Sequence, residues 1–252
     1  IHPIGIGLSS WFWDRMELGE ETEMYAVNLL GCGQSDESAV WVPEKKGMFV
    51  PLTWVKQCEQ LLNEQELSSV TVVVQGGLAP VGISLASRNP ERVKILILTS
   101  PPTWKELTTA VPEREIQRNY DFLSSKLFGS LAFDTVESRW AVGGFSNLFL
   151  FQTTCDDEWI DNIMKEMGPS VRPPVQVFNA GMCQAKSYED ELLELPQPTL
   201  ILQGDADPRD RNEFKKYVKE CEIMTLPGRN ALPWESPKET STAIRDFIAT
   251  HS

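Results

Sequence analysis

The chain has 252 residues, of which 41% are hydrophobic and 23% charged, and this is enough for one sizeable hydrophobic core. Its formal net charge of −13 makes a surface that repels phosphate backbones and anionic lipid, which argues against nucleic-acid and membrane-surface partners. No apolar stretch reaches the roughly 18 to 20 residues that a membrane-spanning helix needs.

In chain order, short apolar runs alternate with longer helical patterns, which is typical of a parallel sheet covered by helices. The first half predicts strands at residues 25–30, 70–74 and 93–98 and helices at residues 52–67 and 81–87. A glycine turn, Gly31-Cys32-Gly33, ends the first of these strands. The fold class predicted from this order is α/β.

Residues 103–195 contain helical candidates and no convincing strand, and the alternation then resumes. Strands are predicted at residues 199–202 and 222–226, and helices at residues 212–217 and 237–249. An insertion of this size between two strands predicts a helical lid over the carboxyl edge of the sheet, where open α/β sheets bind ligands. We therefore expect one structural domain, with core halves at residues 1–102 and 196–252 and a lid at residues 103–195.

The five cysteines are odd in number, widely spaced and free of any C-x-x-C pair; they are Cys32, Cys58, Cys155, Cys183 and Cys221. This usage predicts reduced thiols in an intracellular compartment, not a disulfide framework or a metal site. No cofactor motif is present. The sequence opens at Ile1 without a methionine or a signal pattern, which indicates a processed or trimmed amino terminus.

Three stretches carry a resemblance to a known superfamily. Residues 27–36, V-N-L-L-G-C-G-Q-S-D, run from a strand into a G-x-G-x-S turn; residues 72–80, V-V-V-Q-G-G-L-A-P, run from a strand through glycines into a helix. Residues 198–208, P-T-L-I-L-Q-G-D-A-D-P, place acids after a late strand. Together they resemble the α/β-hydrolase superfamily, and with residues 228–236 they are similar to a branch found in cyanobacteria and plastids.

The resemblance implies a catalytic triad whose positions are degenerate. The family's elbow reads G-x-S-x-G, and the matching residues 75–79 put Gly77 at the place of the nucleophile. Glycine has no attacking group, although it tolerates the positive φ of such a turn. Asn230 stands at the place of the histidine and does not titrate, whereas Asp207 remains at the acid position.

A histidine cannot be recovered by shifting the alignment, because the chain contains only His2 and His251. His2 matches a structural position in the family's oxyanion loop, and His251 is expected to be solvated after the last helix. Pro3 replaces the glycine of that loop, and the backbone N–H groups of Ile4 and Leu78 are the expected oxyanion donors.

Asp207 leaves two readings open. One is structural, with hydrogen bonds to Asn230 or to the loop that follows; the other is ligand binding. Asp205 is the alternative acid if the alignment shifts by two.

Within the predicted lid, the acids of residues 156–158 precede Trp159 and predict a helix amino terminus.

These features predict a pseudoenzyme that acts as a binding or assembly module, with a protein partner or a small apolar ligand under the lid. One alternative is a hydrolase of ester or acyl substrates that uses Asp205, Asp207, Cys155 or Cys183. The other is a small-molecule receptor. The expected location is the plastid stroma or the cytoplasm.

The family topology adds one expectation about the sheet. Its sheet begins with strands that precede His2, and the strand leading into His2 lies between those that end near Leu30 and Val74. We therefore expect further residues before Ile1 and no direct pairing of the latter two strands, because a gap would leave backbone groups unpaired.

Overall fold

A computed structural model describes residues 1–35, 51–168 and 171–251 of the chain. Their parallel sheet has the strand order β1-β2-β3-β4, and each strand pairs with the next. The strands are β1, Val70–Gln75; β2, Val93–Thr99; β3, Thr199–Gly204; and β4, Cys221–Leu226. A mainly parallel sheet flanked by helices is therefore confirmed.

The helices fall into two groups, those of the core and those inserted between β2 and β3. In chain order they are α1, Leu52–Glu64; α2, Ala79–Arg88; α3, Trp104–Thr108; α4, Glu113–Leu123; α5, Phe128–Val136; α6, Arg139–Phe145; α7, Asp157–Lys165; α8, Arg172–Asn179; α9, Glu189–Glu194; α10, Phe214–Tyr217; α11, Leu232–Glu235; and α12, Pro237–His251. We call residues 103–195, which hold α3 to α9, the helical insertion. None of its described residues belongs to a strand.

The sheet separates two hydrophobic clusters because successive side chains of a strand point to opposite faces. Leu96 and Leu98 of β2 pack in one cluster, with α1 and α2, whereas Ile95 and Ile97 pack in the other, with α12. Both faces of β2 are therefore covered, and its near-continuous apolar run is explained by this burial.

Four of the five predicted strands are confirmed within a residue or two, and the predicted strand at residues 25–30 is wrong. Those residues have no helical or strand assignment. The Leu29 N–H donates to Nε2 of His2 at 3.1 Å, while the Ile1 amino group donates to Val73 O at 2.6 Å and Gln75 N–H donates to Ile1 O at 3.2 Å. Ile1 and His2 thus lie between Leu29 and β1, as expected.

His2 is fully buried and held as a neutral imidazole. Its Nδ1 lies 2.6 Å from Pro3 O, so Nδ1–H donates while Nε2 accepts from Leu29. Burial lowers the pKa of His2 to about 4. His251 is the last residue of α12, half-buried with its ring 4.1 Å from the Phe247 ring, so the expected position past the helix is wrong by one residue.

The acids at residues 156–158 do mark a helix start. Asp156 caps α7 by accepting a hydrogen bond from Trp159 N–H at 2.8 Å, and Asp157 and Glu158 lie in its first turn.

In the described ranges, no helix is long and apolar enough to cross a membrane. Nor do those ranges hold a group of three or more His, Cys, Asp or Glu side chains that could bind a metal ion.

Candidate functional site

The site begins at the turn that joins β1 to α2. The strand ends at Gln75, the chain passes through a short 3-10 turn over Gly76–Leu78, and α2 follows at once. Gly76 has a φ of +61°, in the left-handed region, and Gly77 is not among the residues with positive φ. The strained residue of a strand-to-helix elbow carries the nucleophile in an active hydrolase, and the residue with positive φ here is Gly76, one before the predicted Gly77.

The positive φ expected at Gly77 is therefore wrong by one residue. Two adjacent glycines tolerate the same turn equally well, so the sequence pattern did not distinguish them. The absence of a nucleophile does not depend on the frame, because neither residue has a side chain. The nucleophile position at Gly77 and the oxyanion roles of Ile4 and Leu78 stay predictions.

The surroundings of the two glycines differ. A Cβ atom on Gly77 would lie 2.3 Å from Cζ of Phe178, which belongs to α8 of the helical insertion. A Cβ atom on buried Gly76 would have no heavy atom within 4 Å. The Phe178 ring therefore packs directly on the second glycine, and a small void remains beside the first.

The side chain of Gln75 connects this turn to the loop after β4 by hydrogen bonds. Its buried side chain donates from Nε2 to the backbone O of Asn230 at 2.8 Å and approaches Oδ1 of the same residue at 3.3 Å. Its Oε1 accepts from Oγ1 of Thr99 at 2.6 Å. Asn230 thus lies beside the elbow, where the resemblance implies a histidine, and its side chain is an amide that does not titrate and cannot act as a general base.

The helical insertion is tied to the same loop. The N–H groups of Asn230 and Ala231 donate to Leu150 O at 2.9 and 3.1 Å. The carboxylate of Glu235 accepts from Gln152 N–H at 2.6 Å and, with its other oxygen, from Arg229 N–H at 2.8 Å. The segment after α6 is therefore fixed to the loop by backbone hydrogen bonds.

The carboxylate of Asp207 is hydrogen-bonded to two arginine side chains. Its carboxylate accepts from Nε and Nη2 of Arg209 at 3.0 and 2.8 Å and from Nη2 of Arg211 at 2.8 Å. Arg211 is fully buried and also donates from Nε to Pro101 O at 2.7 Å. Burial alone would raise the pKa of Asp207, but the hydrogen bonds from Arg209 and Arg211 outweigh it and the pKa lies below its ordinary value.

Of the two readings of Asp207, the geometry favours the structural one. Oδ1 accepts from Arg209 N–H at 3.1 Å and so closes the loop that follows. No hydrogen bond between Asp207 and Asn230 occurs among the described residues. Asp205 is exposed and accepts from Gly228 N–H at 3.1 Å, which joins the ends of β3 and β4. Neither acid is left free to orient a base.

Sequence reasoning missed Gln75, Phe178 and Arg211. The spacing of Asp207, Arg209 and Arg211 was a usable signal, because two cations follow the acid within four residues. Gln75 stands in the variable position of the elbow motif, and no local pattern connects Phe178 with a glycine about a hundred residues earlier.

In the G-x-G-x-S turn, Ser35 accepts from Gly31 N–H at 3.1 Å, and Asp36 lies outside the described residues.

Comparison with known proteins then gives the fold. No family model matches the chain, and no curated protein matches it significantly. An alpha/beta hydrolase from Nostoc is 19% identical, with a TM-score of 0.77 over 98% of this chain and 89% of that one. A thermophilic esterase from Thermogutta terrifontis is 20% identical, with a TM-score of 0.71 over 98% and 88%. The chain has the α/β-hydrolase fold. A haloalkane dehalogenase from Bradyrhizobium elkanii shares it too, at 16% identity and a TM-score of 0.68 over 96% and 86%.

The contact between Phe178 and Gly77 is tested by a double-mutant cycle. Gly77→Ala should lower the free energy of unfolding by about 1 to 3 kcal/mol, because its Cβ overlaps the ring, and this loss should largely disappear in a Phe178→Ala background. Gly76→Ala is the matched control, with a loss of about 1 to 2 kcal/mol from its positive φ that does not depend on Phe178. Urea denaturation measures the free energy of unfolding for each glycine substitution, both in the wild-type background and in the Phe178→Ala background. Coupling of Phe178 to Gly76 instead of Gly77 would contradict the packing described.

The role of Asp207 predicts a pH-dependent loss of stability. Asp207→Asn should lower the free energy of unfolding by about 3 kcal/mol at pH 7, because Arg211 is left buried without its counter-charge. Since the folded pKa of Asp207 is depressed, this contribution is present above the unfolded pKa of about 3.9 and is lost as the pH falls through the folded pKa. Denaturation at pH 7 and pH 3 measures it, with exposed Asp205→Asn as control. An equal difference at both pH values would refute the ion pair.

Proposed function

We propose that this protein is a catalytically inactive member of the α/β-hydrolase fold class that acts as a binding or assembly module. The observation that carries the proposal is the pairing at the elbow: Gly76, which has no side chain, faces a loop whose Asn230 is bound to Gln75. A triad that lacks both nucleophile and base retains only the weak catalysis of binding and an oxyanion hole. Little selectable hydrolysis should remain.

The attachment of the helical insertion supports a module over an enzyme with an opening lid. Leu150 O binds two backbone N–H groups of the loop, and Glu235 binds Gln152 and Arg229, so movement of the insertion would break several hydrogen bonds together. Phe178 reaches the elbow from the same insertion. The insertion, predicted as a lid, therefore functions in this proposal as a fixed cover.

Unorthodox hydrolase chemistry has less support. Cys183 is fully buried and burial raises its pKa to about 12; burial also raises the pKa of Cys155. The thiol, not the reactive thiolate, is thus the neutral-pH form of both. Asp207 has its carboxylate bound by two arginines, and Asp205 holds the loop after β4. Each candidate group is used in packing or hydrogen bonding.

The outer surface of the insertion fits a protein partner. Large apolar side chains are exposed on neighbouring elements, including Trp140 at 74%, Leu131 at 65% and Phe145 at 57% exposure. Exposed large apolar and aromatic side chains are common at protein interfaces. The five free thiols, four of them buried, support a reducing compartment such as the plastid stroma or the cytoplasm for this module.

One observation favours a small-molecule receptor as the second candidate. A Cβ atom on buried Gly76 would meet no heavy atom within 4 Å, and a small ligand could occupy this open space beside the elbow. Native mass spectrometry of the protein from its own source separates the candidates. A stoichiometric small molecule indicates a receptor, and a bound polypeptide indicates an assembly module.

The absence of hydrolysis is tested with p-nitrophenyl esters and acyl lipids. The purified protein should show no turnover above background, because neither Gly76 nor Asn230 can attack or transfer a proton. Asp207→Ala and Cys183→Ser are assayed beside it, since a contaminating esterase would give the same rate in all three preparations. Turnover that disappears in either variant would overturn the proposal.

A further inference from the structure

The helix α6 continues directly into a π-helical turn, Ser146–Leu150, and the outer side of this segment is apolar. Four large side chains on it are each more than half exposed, namely Trp140, Phe145, Leu148 and Phe149. The rings of Phe145 and Phe149 lie 4.8 Å apart. We call these four side chains, with Gly144 among them, the apolar face. Large apolar groups exposed together are a feature of interaction surfaces.

The inner side of the same segment is fixed to the protein. The hydroxyl of buried Ser146 accepts a hydrogen bond from Nε1 of Trp159 at 2.9 Å. Oδ1 of Asn147 accepts from Cys155 N–H at 2.7 Å, and Leu150 O binds the loop after β4. The apolar face is therefore held in one shape, and little conformational entropy is lost there when a partner binds.

Gly144 lies at the centre of the apolar face, four residues after Trp140 and four before Leu148. Glycine inside a helix is destabilising relative to alanine, so two adjacent glycines in α6 need a reason. Gly143 has one, because a Cβ atom there would already lie 3.4 Å from Cδ1 of Ile160. A Cβ atom on Gly144 would meet no heavy atom within 4 Å. Packing among the described residues thus explains the first glycine and not the second, whose bare backbone suits the close approach of another helix.

The apolar face is self-complementary about Gly144. When two copies of a helix cross antiparallel about a two-fold axis, a residue before the centre meets the residue equally far after it in the other copy. With the axis at Gly144, Trp140 of each copy meets Leu148 of the other. The large side chains then lie on both sides of the contact and the small residue lies at the crossing point, where two helices approach most closely.

The charges at the two ends of the apolar face are complementary in the same arrangement. At one end, Arg139 pairs with Asp157 and Asp161 at 3.3 and 2.5 Å, so this group has one acid in excess. At the other end, Nη1 of Arg229 donates to Leu148 O at 2.5 Å and brings a cation to the surface. A central two-fold axis places the acidic end of each copy against the basic end of the other, which favours this register.

We infer that two copies of this protein form a two-fold symmetric dimer through the apolar face, with Gly144 at the helix crossing. The inference rests on the proposed function, in which the outer surface of the helical insertion binds a protein partner, and it identifies that partner as a second copy. The net charge of −13 opposes association at long range, but salt at about 0.15 M screens charges more than about 8 Å apart. The four apolar side chains expose roughly 500 Å² per copy, at the lower end for a specific contact, so the dissociation constant should be micromolar.

Sedimentation equilibrium of the intact protein, from about 1 to about 500 μM, tests the dimer. The data should fit a monomer and a dimer alone. Trp140→Ala should weaken dimerisation about 30-fold or more, as expected for an aromatic side chain at the centre of a contact, and Leu148→Ala should weaken it as well. Leu193→Ala is the matched control and should change nothing, because it removes an exposed leucine of α9, outside the apolar face.

Gly144→Leu separates a specific helix crossing from general adhesion of apolar surface. The added side chain enlarges the exposed apolar area, so non-specific association should become stronger. A crossing at Gly144 should instead weaken more than about 10-fold, because the two backbones can no longer approach. The melting temperature of the dilute variant should not fall, since the new side chain begins in open space.

A charge exchange tests the two-fold arrangement itself. Arg229→Glu and Asp157→Lys should each weaken dimerisation about 5-fold or more, because each brings like charges together across the contact. The double variant restores opposite charges at both ends and should recover most of the affinity.

Four results would overturn the inference. They are a monomer at every concentration, a monomer that co-purifies with a different polypeptide, association that Gly144→Leu strengthens, and a double charge variant that associates no better than the single ones. The ester assay keeps the two proposals distinguishable. A monomer without ester turnover would refute the dimer and leave the proposed function standing, whereas turnover by a dimer would refute the proposed function alone.

Discussion

The buried side chain of Gln75 is the interaction on which the geometry of the site depends. It stands at the end of β1, accepts from Thr99 at the end of β2, and donates to Asn230 in the loop after β4. An unpaired buried amide costs about 1 to 3 kcal/mol, so these bonds hold the two strand ends and the loop in one arrangement. The elbow at Gly76 and the loop that faces it are consequences of this network.

Groups that a hydrolase would keep free are used here for structure. Asp207 neutralises a fully buried arginine, Glu235 fixes the backbone of the helical insertion, and Phe178 packs on the glycine after the elbow. The strained turn itself persists, because glycine adopts a positive φ at little cost. In the proposed function, the fold keeps the shape of an active site while its polar groups hold the cover in place.

The sequence predicts β2 and β3 well because both are buried on two faces and their apolar runs follow directly from that burial. It fails at residues 25–30, where the residues suit a strand but pairing depends on a neighbour that a local pattern does not reveal. Because the two glycines are adjacent, the sequence pattern does not show which of them adopts the positive φ of the elbow. Counting histidines needs no alignment, and the prediction that the chain lacks a catalytic histidine therefore does not depend on the alignment frame.

Long-range packing explains what the sequence could not show. Phe178 and Gly77 are far apart in the chain and meet only because the helical insertion folds back over the sheet. Arg211 is close to Asp207 in sequence, yet its complete burial, with Nε bound to Pro101 O, follows from where β2 ends. Both contacts involve positions that the resemblance marks as candidate catalytic residues.

The central claim, that the elbow carries no nucleophile, is tested most directly by treating the native protein with a fluorophosphonate and measuring its intact mass. This reagent forms a covalent phosphonyl adduct with an activated hydroxyl, and the account predicts an unchanged mass after prolonged exposure. A stoichiometric adduct that maps to the described core, and that is absent from the denatured protein, would contradict the claim.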